Sequence, residues 1–148
     1  MSTFDADTFL STQTTEKTAS HYTPIPEGEY QAMIEDVVVR QPKEGMLILD
    51  VTYSILDENV KAQLGLERAT ARQSIFLDLA PSGGLAVGPN KNVRLGKVRE
   101  AAGQNTGKPW APAMLRGAGP MLIKIKHRVD QDDPDTVYTD VARVAPLR

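Results

Sequence analysis

Hydrophobic and polar residues alternate in three early stretches of the chain, 28–40, 46–55 and 70–79, and that period of two predicts half-buried strands. The second stretch has the clearest pattern. Leu47, Leu49, Val51, Tyr53 and Ile55 fall on one face, opposite Ile48, Asp50, Thr52 and Ser54, so the first set is expected to fill the interior. In the first stretch Tyr30, Ala32 and Ile34 alternate with Gln31, Met33 and Glu35. In the third, Gln73, Ile75, Leu77 and Leu79 share the inner face, which turns Arg72, Ser74, Phe76 and Asp78 outward.

The period then changes. Over 92–102 Leu95, Val98 and Ala102 lie on one helical stripe, with Asn92 as the expected N-cap and Gly103 as the stop. Arg94 and Lys97 flank that stripe. Two more alternating stretches follow, 121–129 and 136–144. In the former, Met121, Ile123 and Ile125 oppose Leu122, Lys124 and Lys126, with Arg128 continuing the basic row. Trp110, Met114 and Leu115 are expected to plug one end of the barrel. The link 56–68 is polar and long for a hairpin, with Gly65 and room for a helical turn.

Three strands, a helix and two strands predict a mainly β fold: a five-stranded Greek-key barrel of the OB type, with its one helix between strands 3 and 4. The expected domain covers 22–148. Residues 1–21, with little apolar content beyond Phe4, Phe9 and Leu10, are expected to form a flexible tail.

Composition narrows the function classes. A single domain of 148 residues buries a sizeable core without cross-links, and the absence of cysteine removes disulfides and thiolate zinc sites. No stretch approaches a membrane span and the first residues do not read as a secretory signal, so a cytoplasmic location and no membrane partner are expected. The net charge of -2 is mildly unfavourable for a nucleic-acid binder. The charges segregate, however: bases gather at 91–99 and 124–128, acids in the first 60 residues and at 130–135.

Catalytic patterns are lacking. His21 and His127 have no relay partners in sequence, and no cofactor is called for. Asp130, Asp132, Asp133 and Asp135 lack the glycine and distal glutamate of a calcium loop and read as a solvated hairpin. The segment from Gly103 to Lys108 is one residue short of a phosphate-binding loop and follows a helix instead of preceding it. A nuclease would need clustered carboxylates that the sequence does not offer.

Binding an unpaired strand needs cations along a groove and flat rings for stacking. Lys124, Lys126 and Arg128 at period two place three positive charges on one strand face; Arg72 and Phe76 are expected to add a cation and a stacking platform. Arg40, Lys43, Lys61 and Arg68 flank the connecting loops, where they can reach phosphates. Tyr53, Tyr138 and Trp110 are assigned to the core. The alternative is a β-barrel protein-interaction or virion-assembly module using the same outer face or an exposed sheet edge.

Several phrases add a resemblance. Ile25-Pro-Glu-Gly-Glu-Tyr-Gln-Ala, Leu49-Asp-Val-Thr-Tyr-Ser-Ile-Leu-Asp, Val93-Arg-Leu-Gly-Lys-Val-Arg-Glu-Ala-Ala-Gly, Leu115-Arg-Gly and Val141-Ala-Arg-Val-Ala-Pro are similar to small phage-encoded single-stranded DNA-binding proteins of OB-fold type. Their helix pattern is met by Leu95, Val98, Arg99, Ala101 and Gly103, with valine replacing the second leucine. The resemblance spans about 22–146 and implies a DNA replication or recombination accessory that coats single-stranded DNA in the host cytoplasm. Replication or recombination proteins and a second copy of the chain are its candidate partners. Many bacterial proteins of this kind finish in an acidic recruiting tip; this sequence ends Val144-Ala-Pro-Leu-Arg148 instead.

Overall fold

The computed structural model describes residues 4–147; the first three residues of the expected tail and Arg148 lie outside it. Five strands, β1 (Gly28–Lys43), β2 (Met46–Ile55), β3 (Thr70–Phe76), β4 (Met121–Val129) and β5 (Val137–Pro146), form one antiparallel sheet. Its order is β3-β2-β1-β4-β5. β1 is long enough to serve two neighbours: Gly28 to Ala32 pair with β4, and Ala32 to Lys43 pair with β2. Within the part paired with β2, Glu35 is extruded as a bulge, since Ile34 faces Tyr53 while Asp36 faces Thr52. A bulge bends its strand and raises the local twist, which curls the sheet.

Curling brings Cα atoms of the two outer strands, β3 and β5, within 8 Å of one another. Among the described residues no hydrogen-bonded ladder joins them, so the barrel is open along this seam and full closure is not met. β5 carries its own bulge at Ala142, where Lys124 pairs with Arg143 and Ile125 with Val141. Gln73, Arg94 and Ala142 line the grooves on this seam.

The core follows the alternation. Ala32, Ile34, Leu49, Val51, Tyr53, Ile55, Ile75, Met121, Ile123 and Ile125 are all buried in one cluster. Gln73 is the polar member of the inner face, and the Tyr53 hydroxyl donates to its Oε1 at 2.8 Å. Burial pushes the Tyr53 hydroxyl well above the ordinary tyrosine range, against the smaller opposing effect of the Arg94 charge.

Helix α1 (Ala6–Leu10) lies in the polar N-terminal stretch, where residues 4–23 are all exposed, Phe4, Phe9 and Leu10 included. Helix α2 (Glu58–Leu64) fills the β2–β3 link, so the single-helix expectation is exceeded. Asp57 caps it by accepting from the Asn59 and Val60 amides, and Gly65 ends it at φ 68°.

Helix α3 (Val93–Ala101) sits between β3 and β4 and packs on β5 through Leu95, Val98 and Ala101. Its inner stripe ends on Ala101, with the expected Ala102 only half-buried. Gly103 at φ 72° lets its amide reach Glu100 and the Gln104 amide reach Arg99, the paired bonds that finish a helix in a left-handed turn. Asn92 precedes the helix without capping it. Its own backbone is left-handed, and its side chain bonds Asp78 and Ala86 instead, pinning the loop after β3. β3 itself stops at Phe76, and Leu79 keeps only an isolated bridge to Leu85. Of the expected end plug, Leu115 is buried and Trp110 packs half-buried against the core, but Met114 is 51% exposed.

Candidate nucleic-acid interface

The register fixes what the outer face of β1, β2 and β3 presents. Arg40, Ile48 and Phe76 lie in one cross-strand row, Val38, Asp50 and Ser74 in the next, and Asp36, Thr52 and Arg72 in a third. Arg72 and Phe76 therefore point outward as expected, and neither helix nor tail covers the ring, which is 62% exposed. Two outward positions behave unexpectedly: Ile48 and Asp50 are buried although they face away from the core.

Asp50 shows why. Arg40 Nε donates to its Oδ2 at 2.7 Å and Ser74 Oγ to its Oδ1 at 2.6 Å, so the carboxylate is enclosed by its own partners. Burial pushes the Asp50 carboxyl up, but the Ser74 hydroxyl, the Arg40 guanidinium and the nearby Arg72 charge outweigh it and hold it below the usual range. Arg40 is thus committed to the sheet. Arg68 is committed likewise, through an ion pair with Glu35 on the β1 bulge. Arg116, after the turn at Pro112–Leu115, donates to Asp36 at 2.7 Å and to the Val37 carbonyl at 2.8 Å. Lys43 stands at the tip of β1 opposite Met46, and Lys61 pairs with Glu58 within α2.

The seam between β3 and β5 differs. A groove of about 600 Å³ opens there, lined by Arg72 from β3, Arg94 from α3, Lys126 and Arg128 from β4, and Tyr138 and Asp140 from β5. Among the described residues Arg72, Arg94 and Lys126 make no ion pair. Arg128 does: its Nε lies 2.9 Å from Asp140 Oδ2 while its guanidinium sits 4.6 Å from the centre of the Tyr138 ring. The bond to Asp140 raises the Arg128 pKa further, so that charge is permanent.

Tyr138 was expected in the core; it is 40% exposed, because the β4–β5 pairing puts it opposite Arg128 on the outer face. Its hydroxyl donates to Asp130 Oδ2 at 2.8 Å, which raises the tyrosine pKa and lowers that of Asp130. Asp130 also accepts from the Asp132 and Asp133 amides, and Asp133 from Asp135 and Thr136, so this acidic hairpin is turned by its own carboxylates.

The basic row of β4 is split. Lys126 and Arg128 enter the seam groove, whereas Lys124 lies opposite Glu29 and Arg143 in a separate shallow depression. Phe76 sits at the far end of β3 from Arg72, about 13 Å away at strand spacing, and lines no part of the groove. Arg94 was noted in sequence only as a flank of the helix stripe. Its role depends on how α3 docks against β5, which periodicity alone does not reveal. His127 is structural, with Nε2 2.6 Å from the Ile25 carbonyl and its amide donating to Glu27, whose carboxyl is thereby held low.

No protein-family model matches the chain, and no curated protein is found to match it. Among the described residues no helix is long and apolar enough to cross a membrane, and no group of three or more His, Asp or Glu side chains could hold a metal ion.

Proposed function

We propose that this chain is an OB-type single-stranded DNA-binding protein, largely indifferent to sequence, whose polynucleotide lies in the β3–β5 seam. The observation that carries the reading is the convergence of Arg72, Arg94, Lys126 and Arg128, from three separate elements, on one groove with an exposed tyrosine in its wall. Cations track phosphates and a flat ring accepts any base, which is the chemistry of sequence-tolerant binding. Tyr138 beneath Arg128 supplies the ring in the seam; Phe76, farther along β3, stands outside the groove. The fold assignment is supported by β1 pairing with both β2 and β4, by α3 standing between β3 and β4, and by the partly open barrel that this fold tolerates. Action in phage DNA replication or recombination, in a bacterial host cytoplasm, follows from the sequence resemblance and is proposed with it.

The test is fluorescence polarisation with an oligothymidine of about 15 nucleotides, within the site sizes known for such barrels. The wild-type chain should bind at low salt, and Arg72→Glu with Lys126→Glu should abolish binding in a chain that still unfolds cooperatively, at a lower melting temperature because Asp50 loses the Arg72 charge. Unchanged affinity in a folded double variant would remove the seam from consideration.

One feature favours the second reading, a protein-interaction module. A largely apolar groove of about 570 Å³ runs between Val39, Leu47, Leu77, Leu85 and Trp110. Partner capture sensitive to Leu77→Asp, in a chain that binds no oligonucleotide, would select it.

A further inference from the structure

We propose that the polynucleotide path does not end at the seam but continues along α3 to a second stacking station, the Arg99–Trp110 pair. This inference rests on the binding reading above. Three grooves adjoin one another through shared lining residues. Arg94 is shared by the seam groove and a second one of about 330 Å³ beside the end of β5, where Lys97 and Arg143 join it. Lys97 in turn belongs to a third groove of about 640 Å³, rimmed by Lys91 and Lys108 and closed by Arg99 and Trp110.

The far station is built and fixed. The Arg99 guanidinium lies 4.1 Å from the centre of the Trp110 ring. Its Nε and Nη2 both donate to the Gln104 carbonyl, at 3.2 and 3.0 Å. Trp110 Nε1 donates to Gln104 Oε1 at 2.8 Å, and Gln104 Nε2 donates to the Met114 carbonyl at 2.8 Å. A planar cation held half-buried on an indole offers a flat surface on which a base can stack.

Holding the loop from 103 to 115 onto α3 would need only the Trp110–Gln104–Arg99 set. It does not account for Lys91, Lys97 and Lys108, exposed and without ion pairs among the described residues, around the same groove. Glu100 is the one carboxylate that lines it. Like charges gathered this way repel until an anion arrives. A ligand that supplies phosphates to the lysines and a flat ring to Arg99 is a nucleic-acid strand.

Trp110 is the sole tryptophan, so its fluorescence reports on this station alone. Wild-type protein should bind an oligothymidine of about 16 nucleotides with tryptophan quenching, whereas one of about 5 nucleotides should occupy the seam without quenching. Lys97→Glu with Lys108→Glu should weaken the long oligomer at least about tenfold, leave the short one within about twofold, and leave melting unchanged. Arg72→Glu with Lys126→Glu should weaken both. An abasic strand of the long length should bind without quenching.

Equal affinities for wild type and the Lys97/Lys108 variant would overturn the extended path, and quenching by the abasic strand would overturn the stacking. Failure of both oligomers to bind wild-type protein, or indifference of the short one to the Arg72/Lys126 change, would remove the seam reading itself.

Discussion

Two surfaces meet along β3, and they use their arginines differently. On the β1–β2–β3 face, Arg40, Arg68 and Arg116 are each answered by a carboxylate of the same sheet: Asp50, Glu35 and Asp36. Across the seam, Arg72, Arg94 and Lys126 are answered by none among the described residues, and only Arg128 has a partner, Asp140. A cation's outward direction therefore says little about whether its charge is available. What decides is the residue that the neighbouring strand places beside it. One surface holds the sheet together; on the other, Arg72, Arg94 and Lys126 stay without ion-pair partners among the described residues.

That contrast can be broken or sharpened by mutation. The largest effect belongs to the seam: Arg72→Glu with Lys126→Glu should weaken oligothymidine binding by about 100-fold or more, since several phosphate contacts are replaced by repulsion. Arg40→Ala should do the reverse. It strips a buried carboxylate of its charged partner, so urea denaturation should show a loss of about 1–3 kcal/mol while affinity stays within about threefold. If Arg40→Ala costs affinity and not stability, the division between the two surfaces is wrong.

A smaller effect runs in the opposite direction. Asp140→Asn removes the carboxylate that neutralises Arg128, and binding at low salt should tighten about threefold, read by the same polarisation assay. A weakened affinity would mean that Asp140 positions Arg128 for its ligand.

The smallest effect concerns pH. Asp50 has a folded pKa below its ordinary value, so its stabilising contribution is present above about pH 4 and is lost as pH falls through the lower folded value. Asp50→Asn should therefore be less stable than wild type near neutrality, and the two stability curves should approach one another as pH falls through the lowered folded pKa of Asp50. Parallel curves would show that Asp50 is not held ionised by Arg40 and Ser74.

Most of the sheet was legible from alternation, because an inner face of Leu49, Val51, Tyr53 and Ile55 has no other way to leave water. The outward direction of Arg72, Phe76, Lys126 and Arg128 followed from the same period. What the period missed came from pairing across strands. Ile48 and Asp50 are buried on the outer face because Arg40, Ser74 and Phe76 stand beside them in register. Tyr138 left the expected core because Arg128 lies opposite it. Lys124 parts from Lys126 where β1 ends, since Gly28 is the last residue to pair with β4 and Lys126 lies beyond it.

Helix α2 had a readable signal in Asp57 and Gly65, a cap and a left-handed stop seven helical residues apart. Asn92 misled because a residue suited to capping also suits bridging a loop, and Asp78 was there to be bridged. Arg94 and the open seam were beyond any local pattern, because both depend on how α3 settles against β5.

The salt dependence of oligothymidine affinity tests the account most directly. With Arg72, Arg94, Lys126 and Arg128 meeting phosphates, log K against log salt should fall with a slope of about −2 to −3, and the Arg72→Glu/Lys126→Glu chain should lose at least half of it. Binding that ignores salt, or a slope unchanged in that variant, would contradict a seam kept positive for an unpaired strand.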